Sequence, residues 1–363
     1  MKRILLVLVG GTICTAVNER GTLSVSGKAG AILKENFLKS DSVFAQDVDI
    51  TLTENLYILS ENMTVEKWNL IAETLQKYTS ARKYDGIVLA HGTDTLAYSA
   101  ALFSLLLCDT DIPVFFVSSN ARLDSPNANG NANFAYAVEC ICRGIRPNVY
   151  VTYRNPSDGV MYLHLASRLR QCANYSEDFF SEGAIAFADN SDEAFAHCFA
   201  ELDRLYPRKR HLRIAKSKPC RLSDCVLNLT PYVGINYDAY RYDRFRAVLH
   251  GTYHSGTACA ALSDAERCDK YGSASILHMI DLCAESGVDM YFAPSRLDGE
   301  IYDTVRIIGD HEANGRKIHF LYGMTNEMAY VKLLLGYSLY TDAQVINAFL
   351  NMEVNYEFGI SKS

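Results

Sequence analysis

Short apolar runs alternate with amphipathic stretches through the first half of the chain. Four runs are rich in β-branched residues and lack polar alternation, as expected of strands that are buried on both faces. These runs cover residues 4–9, 86–90, 113–118 and 148–153. Residues 65–80 and 96–107 carry apolar side chains at helical spacing. The strand–helix–strand repetition predicts a parallel sheet with helices on both faces, whose ligands bind at the carboxyl ends of the strands.

A basic stretch that contains two prolines divides this region from a second one. Residues 204–219 show no strong periodicity, and we place the domain boundary there. The predicted organisation is a first domain over 1–205, a linker over 206–219 and a second domain over 220–363. In the second domain, strands are predicted at 225–230, 247–250 and 290–293, and helices at 272–285, 326–336 and 342–351. The predicted fold class is α/β, with a larger N-terminal parallel-sheet domain of flavodoxin or Rossmann type and a smaller C-terminal α/β domain.

Composition narrows the classes of function. The chain has 363 residues, of which 49% are hydrophobic and 21% charged, which indicates a folded protein. Its net charge of −7 argues against a nucleic-acid partner. Eleven scattered cysteines without zinc-site spacing are typical of reduced thiols, so we predict a cytoplasmic protein without a metal. No apolar run is long enough to span a bilayer, and the one at 4–9 is shorter than that of a signal peptide.

Two predicted strands are followed directly by glycine–threonine loops. Gly10-Gly11-Thr12 follows the first strand, and His91-Gly92-Thr93-Asp94-Thr95 follows the strand at 86–90. A tight turn alone explains the first loop, and capping of the next helix by Thr93, Asp94 or Thr95 alone explains the second. Neither loop has the glycine spacing of a dinucleotide or nucleoside-triphosphate site. The functional alternative is a pair of catalytic hydroxyls beside a carboxylate that binds an ammonium group.

Taken together, the two loops closely resemble the paired signature motifs of the L-asparaginase/glutaminase family, in particular those of its bacterial cytosolic type I members. The likeness continues through residues 60–64, 113–118, 129–138 and 323–334. The resemblance implies an amidohydrolase that converts L-asparagine to L-aspartate and ammonia through a threonine acyl-enzyme. It also implies a small-molecule amide as substrate, no metal or cofactor, and a homodimer or homotetramer.

The resemblance also implies roles for individual residues. Thr12 is the expected nucleophile, Thr93 the second catalytic threonine and Asp94 the carboxylate that holds the substrate's α-ammonium group. Substrate contacts are implied for Ser60, Glu61, Gly11 and Gly92. Backbone N–H groups of the two loops are the expected donors to the oxyanion that forms during acyl transfer.

Two positions depart from the family's pattern. Thr22 aligns with a loop tyrosine that helps to activate the nucleophile. Gln171 aligns with a lysine that pairs with the second threonine, and Arg170, one residue away, is the alternative equivalent. Glutamine is not a base, and arginine stays protonated. A divergent enzyme is therefore one interpretation, and an impaired relative that binds a small amino acid or amide, as a sensor or partner subunit, is the other.

Two further interpretations have less support from the sequence. An amidotransferase subunit shares the two motifs, but that subunit usually has an extra N-terminal domain, for which the short distance from Met1 to Thr12 leaves no room. The His250 and His254 pair has helical spacing, but Gly251 and the preceding strand argue against a helix and hence against a zinc site. Tyr253 or His254 is instead a candidate replacement for the missing tyrosine or lysine.

Overall fold

A computed structural model describes residues 1–17, 23–79, 83–207, 221–260, 272–296 and 301–359. These residues form two compact units. The first consists of the described residues of Met1–Pro219 together with Val354–Tyr356. The second consists of the described residues of Cys220–Glu353 together with Glu357–Gly359.

The first unit contains most of the strands described. They are β1 (Lys2–Leu8), β2 (Thr15–Val17), β3 (Leu23–Val25), β4 (Val48–Leu52), β5 (Gly86–Ala90), β6 (Val114–Val117), β7 (Val149–Arg154), β8 (Met161–Leu165), β9 (Leu169–Arg170), β10 (Phe180–Ser181) and β11 (Ile185–Phe187). Its helices are α1 (Ala29–Leu38), α2 (Val65–Thr79), α3 (Leu96–Leu106), α4 (Gly130–Cys142) and α5 (Asp192–Leu205).

One seven-stranded sheet organises this unit, in the order β11-β8-β7-β6-β5-β1-β4. The strands from β4 to β7 are parallel, which confirms the predicted core of the sheet. The sheet departs from parallel pairing at one edge, where β8 pairs antiparallel with both β7 and β11. The cause is a short turn after β7 that Gly159 completes at φ 70°, since a hairpin returns the chain in the opposite direction.

Helices cover both faces of the sheet, as predicted. Neighbouring residues on β6 point to opposite faces, and they have different partners. Phe115 packs in one core cluster with residues of α1, α4 and α5, whereas Phe116 contacts Phe103 of α3. The helices α2 and α3 are joined by a hydrogen bond from Trp68 Nε1 to Ser99 Oγ of 2.8 Å. The central strands are therefore buried on both sides, which explains their uninterrupted apolar sequences.

The second unit is built around a four-stranded parallel sheet in the order β12-β13-β14-β17. The strands described in this unit are β12 (Val226–Leu229), β13 (Ala247–His250), β14 (Asp289–Ser295), β15 (Glu312–Ala313), β16 (Arg316–Lys317) and β17 (His319–Tyr322), of which β15 and β16 form a separate pair. Its helices are α6 (Ile276–Glu285), α7 (Asp303–Asp310), α8 (Asn326–Leu339) and α9 (Ala343–Asn351). The helix α6 begins four residues later than predicted because Ser275 caps it, accepting a hydrogen bond from the Leu277 N–H. No helix in the described part of the chain is long and apolar enough to cross a membrane.

Candidate active site

The ends of β1 and β5 are joined to each other and to a third segment by backbone hydrogen bonds. The N–H groups of Val9 and Gly10 both donate to the Ala90 carbonyl, at 3.0 and 3.2 Å. The Gly11 N–H donates to the Ile58 carbonyl at 3.1 Å. The loops that carry Thr12, Thr93 and Ser60 are therefore brought together at the carboxyl edge of the sheet, where parallel sheets place their ligands.

Glycines make this approach possible. A Cβ atom on Gly11 would lie 2.0 Å from the Gly92 Cα atom, and one on Gly92 would lie 2.3 Å from Ser60 Oγ. Gly11 also has a φ of 78°, in the region that side chains rarely adopt. The two motif glycines therefore place the loops of Thr12 and Thr93 in direct backbone contact, which explains why both loops need a glycine next to their threonine.

Thr12 opens a short 3-10 turn, Thr12–Cys14, and is partly buried. Its carbonyl accepts a hydrogen bond from the Thr15 hydroxyl at 2.9 Å. Within the described residues, its own hydroxyl has no hydrogen-bond partner. Thr22, the predicted counterpart of the family's loop tyrosine, lies outside the described residues.

Ser60 and Asp94 form a hydrogen-bonded pair. The buried Ser60 hydroxyl donates to Asp94 Oδ2 at 2.9 Å and accepts from the Asp94 N–H at 3.3 Å. Thr95 precedes α3 but does not cap it with its side chain, since its hydroxyl donates to the Ser60 carbonyl at 3.0 Å. Capping therefore does not explain Thr95 or Asp94, and Asp94 presents an exposed carboxylate in a fixed position.

Gln171 is the residue that lies against the second threonine. Its amide nitrogen donates to the Thr93 carbonyl at 2.7 Å, and its amide oxygen accepts from the Ala97 N–H at 3.2 Å. The side chain thus satisfies an N–H group in the first turn of α3, which has no partner inside the helix. Arg170 is exposed on β9 and pairs in register with Phe180. Of the two alternatives left by the sequence, the structure brings Gln171 to Thr93.

His91 is a buried residue that forms a hydrogen bond within the same loop. Its ring is fully buried, and Nδ1 lies 2.8 Å from the Gly92 carbonyl oxygen, so that Nδ1 carries the proton and donates. Burial lowers the pKa of His91 to about 4, and the bond to the Gly92 carbonyl opposes that shift. His91 is therefore neutral at pH 7. Sequence reasoning assigned it no role, because a histidine inside a loop motif carries no signal of its burial.

A cleft of about 630 Å³ opens beside Thr93. Its lining includes three residues that the sequence assigned to the site together with Gln171; these are Glu61, Thr93 and Asp94. Sequence reasoning missed the remaining lining residues, which are Asn120, Tyr153, Cys172, Ala173, Asn174, Tyr175, Ser176, Glu177 and Phe179. Asn120 follows β6, Tyr153 lies on β7 and the others follow β9, in segments that match neither signature motif, so that only the fold brings them together.

His250 in the second unit is occupied by local partners. Its Nε2 atom lies 2.7 Å from the Tyr237 hydroxyl and its Nδ1 atom 2.6 Å from the Gly251 carbonyl oxygen. Both ring nitrogens are therefore used within the unit. The proposed role of Tyr253 or His254 in activation stays a prediction.

Known proteins resemble this chain at the level of sequence and of fold. A glutamyl-tRNA(Gln) amidotransferase subunit of Methanococcus maripaludis is 26% identical over 234 residues, which cover 63% of this chain and 51% of that protein. The corresponding amidotransferase subunit of Haloquadratum walsbyi is 32% identical over 175 residues, which cover 48% of this chain and 38% of that protein. The chain thus spans about half or less of the length of these curated relatives.

Two solved L-asparaginases share the fold over nearly their full length. The thermostable L-asparaginase of Thermococcus kodakarensis matches with a TM-score of 0.68 and 19% identity, covering 98% of this chain and 99% of that one. L-asparaginase I of Vibrio cholerae matches with a TM-score of 0.66 and 20% identity at the same coverage. The sequence profile of the family described as "Asparaginase, N-terminal" matches residues 3–195, more than half of the chain. The chain is therefore a divergent member of the asparaginase family.

Proposed function

We propose that the protein hydrolyses the side-chain amide of L-asparagine to L-aspartate and ammonia through an ester on Thr12. The observation that carries this proposal is the backbone contact of Gly11 with Gly92, which sets Thr12 and Thr93 on adjoining loops beside the Ser60–Asp94 pair. Family membership supports amidohydrolase chemistry, and the choice of asparagine is the finer part of the proposal.

The proposed reaction begins with attack by the Thr12 hydroxyl oxygen on the amide carbonyl. The C–N bond then breaks, ammonia leaves with the threonine's proton, and water cleaves the resulting ester to release the carboxylate and restore the hydroxyl. Within the described residues, the N–H groups of Thr12 and Thr93 make no hydrogen bond and are the proposed oxyanion donors. The Gly11 N–H is already bound to Ile58, which removes it from that role.

The amino acid end of the substrate is proposed to bind at Asp94 and Ser60. Asp94 accepts from the α-ammonium group, and its position is fixed by two hydrogen bonds with Ser60 before any ligand binds. Glu61 lines the same cleft and adds negative charge there. Such preorganisation lowers the cost of ordering the site when substrate binds.

Activation of Thr12 needs a base, and no described residue is hydrogen-bonded to its hydroxyl. The Gln171 amide holds the Thr93 carbonyl and the start of α3, and it cannot accept a proton at neutral pH. This observation favours a second candidate function, a protein that binds a small amino acid or amide and turns it over slowly. The relatives that are amidotransferase subunits motivate a role for such a protein as a partner of another chain.

Ammonia release from asparagine and from glutamine distinguishes the two candidates. We expect wild type to release ammonia and Thr12→Ala to lose turnover by at least about a thousandfold, because no ester can form. Thr12→Ser keeps a hydroxyl and is the matched control. Absence of turnover in the wild type, with calorimetric binding of aspartate intact, would establish the second candidate instead.

Two further properties belong to the proposal. The resemblance supports a homodimer or homotetramer, which light scattering coupled to size-exclusion chromatography tests. All nine described cysteines are free, which agrees with the reduced thiols expected of a cytoplasmic protein. Localisation of a tagged full-length chain in cells tests that assignment.

A further inference from the structure

A three-residue segment from late in the sequence, Val354–Tyr356, lies buried in the first unit. Its residues are at most 5% exposed, and Tyr356 packs in the same core cluster as residues of α1, α4 and α5. Tyr356 has a φ of 57°, which residues with a side chain rarely adopt. Because such a conformation persists only where the surroundings hold the residue in place, the segment has a fixed shape in this unit.

Side chains of the first unit hold the segment on both sides. The Tyr356 ring packs edge-on against Tyr206 at a centroid distance of 5.6 Å, and its hydroxyl donates to the Pro207 carbonyl at 2.6 Å. The amides of Asn355 and Asn148 exchange two hydrogen bonds, at 2.9 and 3.1 Å. The segment is thereby attached to the start of β7 and to the end of α5.

Two further hydrogen bonds run from the segment to elements that support the active site. The Asn355 amide nitrogen donates to the carbonyl of Ser104, in the last turn of α3, at 2.8 Å, although 251 positions separate the two residues. The Tyr356 carbonyl accepts from Arg168 Nη1 at 3.2 Å. Arg168 ends a 3-10 turn that packs against α3 and leads through β9 to Gln171. Adjacent residues of the segment thus hold both α3 and the turn before Gln171.

Arg168 is a rigid link in this arrangement. Its side chain is buried, its Nε donates to the Glu182 carbonyl at 3.2 Å, and its Nη2 pairs with the Glu182 carboxylate. A planar guanidinium holds several acceptors in fixed directions. The Tyr356 carbonyl is therefore joined to a side chain whose position is set by three hydrogen bonds.

The same two elements meet again at the loop of Thr93. The Gln171 amide binds the Thr93 carbonyl at 2.7 Å and the Ala97 N–H at 3.2 Å. Ala97 lies in the first turn of α3, about 10 Å along the helix from Ser104, because each residue adds about 1.5 Å. A displacement of α3 against the turn would therefore separate Gln171 from one of its two partners.

We infer that Asn355 and Tyr356 are positioning residues that keep the Gln171 amide bonded to the loop of the second threonine. The inference rests on the proposed function. Both residues are buried, and neither belongs to the described lining of the cleft beside Thr93, so they act without contacting substrate. Asn355 acts through α3, and Tyr356 acts through Arg168.

Asn355→Ala and Arg168→Met each remove one of the two links. We expect kcat for asparagine to fall about tenfold in either variant, because a displacement of about 1 Å between reacting groups lowers a rate about a hundredfold and a smaller one is expected here. KM should change little, since the Ser60–Asp94 pair is held by its own two hydrogen bonds. Arg168→Met leaves the Asn355 bonds intact and carries the test if Asn355→Ala does not fold. An unchanged kcat in both variants would overturn the inference.

A double-mutant cycle separates positioning from a loss of stability. Gln171→Met lacks the amide through which the segment acts, so that adding Asn355→Ala or Arg168→Met should lower kcat by less than about twofold. A purely structural role would lower kcat by the same factor in both backgrounds. Additive losses of kcat would therefore reject the inference.

Arg143→Met is the matched control for Arg168→Met. It removes a guanidinium at the end of α4 that pairs with two carboxylates and not with the segment. We expect this variant to keep the wild-type kcat even if its unfolding temperature falls as far as that of Arg168→Met. An equal loss of kcat in the two variants would assign the effect to stability and count against positioning.

Hydrogen exchange tests the inference without turnover. The Ala97 N–H is bonded to Gln171, so we expect the peptide that contains it to exchange faster in Asn355→Ala and Arg168→Met than in Arg143→Met. If the wild type does not hydrolyse asparagine, the proposed function fails and exchange alone decides the inference. Turnover in the wild type, with exchange and kcat unchanged in both variants, rejects the inference alone.

Discussion

The loop that follows β5 is held by side chains, whereas the loop that follows β1 is held through its backbone. Gln171, Ser60 and His91 each bond to the loop of Thr93 and Asp94. Thr12 sits on a turn whose contacts run through the Gly11 N–H and its own carbonyl. The proposed substrate-binding half of the site is thus preorganised by the described residues, whereas the hydroxyl of the proposed nucleophile, Thr12, has no hydrogen-bond partner among them. Four substitutions, in decreasing order of their effect, test this contrast.

Gly11→Ala disrupts the backbone contact between the two loops. The new Cβ atom would lie 2.0 Å from Gly92 Cα, so one of the loops must move. We expect turnover to fall by at least about a hundredfold, because a shift of about 1 Å between reacting groups has that effect. We also expect a lower free energy of unfolding, followed in urea through the fluorescence of Trp68, the sole tryptophan.

Gly144→Ala is the matched control for this change. Its φ of 79° equals that of Gly11 within a degree, but no atom lies within 4 Å of a Cβ placed there. The strain of an alanine in the left-handed region costs about 1 kcal/mol by itself, so this variant should lose that much stability and keep its turnover. Equal losses in the two variants would show that strain, and not the contact between the loops, accounts for the effect.

The next test removes the charge of the Asp94 carboxylate, which Ser60 holds in place. Asp94→Asn keeps an oxygen for the Ser60 hydroxyl and removes the charge, so we expect KM for asparagine to rise about thirtyfold. Glu61→Gln is the comparison, because the Glu61 carboxylate makes no hydrogen bond within the described residues and is not held in place. A smaller rise is expected there. The reverse order in steady-state kinetics would contradict the view that preorganisation distinguishes the two carboxylates.

The same contrast explains what the sequence could predict. Apolar runs are a local signal and predict the buried strands, whereas the two threonine loops acquire their predicted role only because the pair resembles the motifs of a known family. The antiparallel β8 was not predicted, because a hairpin after β7 depends on a turn with a weak sequence pattern. Tyr153 was missed as part of the cleft for a different reason. It ends an apolar strand, and only the fold brings it to the cleft.

Gln171→Lys tests whether the missing base limits turnover. A lysine amine keeps a donor for the Thr93 carbonyl and adds a group that accepts a proton, as the family's lysine does. We expect kcat for asparagine to increase about tenfold at alkaline pH, within the range of general-base catalysis. Gln171→Met loses both hydrogen bonds, adds no base and should be slower than wild type. A lysine variant no faster than the methionine variant would show that the amide's positioning role outweighs the missing base.

His91 provides the smallest effect, because it acts on the stability of the loop and not on the reaction. The unfolded histidine takes up a proton below its ordinary pKa of 6.5, whereas the buried ring stays neutral down to about 4. The contribution of the neutral His91 to the free energy of unfolding is therefore complete above pH 6.5. It decreases as the pH falls towards 4, by about 1 kcal/mol between pH 6.5 and 5.5.

His91→Asn removes this titration while placing an amide where Nδ1 donates to the Gly92 carbonyl. Urea unfolding followed by Trp68 fluorescence should then depend less on pH, by about 1 kcal/mol over the same interval. His197→Asn, at an exposed position in the same unit, should retain the wild-type dependence. An unchanged pH dependence in His91→Asn would mean that the Thr93 loop does not rely on a neutral His91.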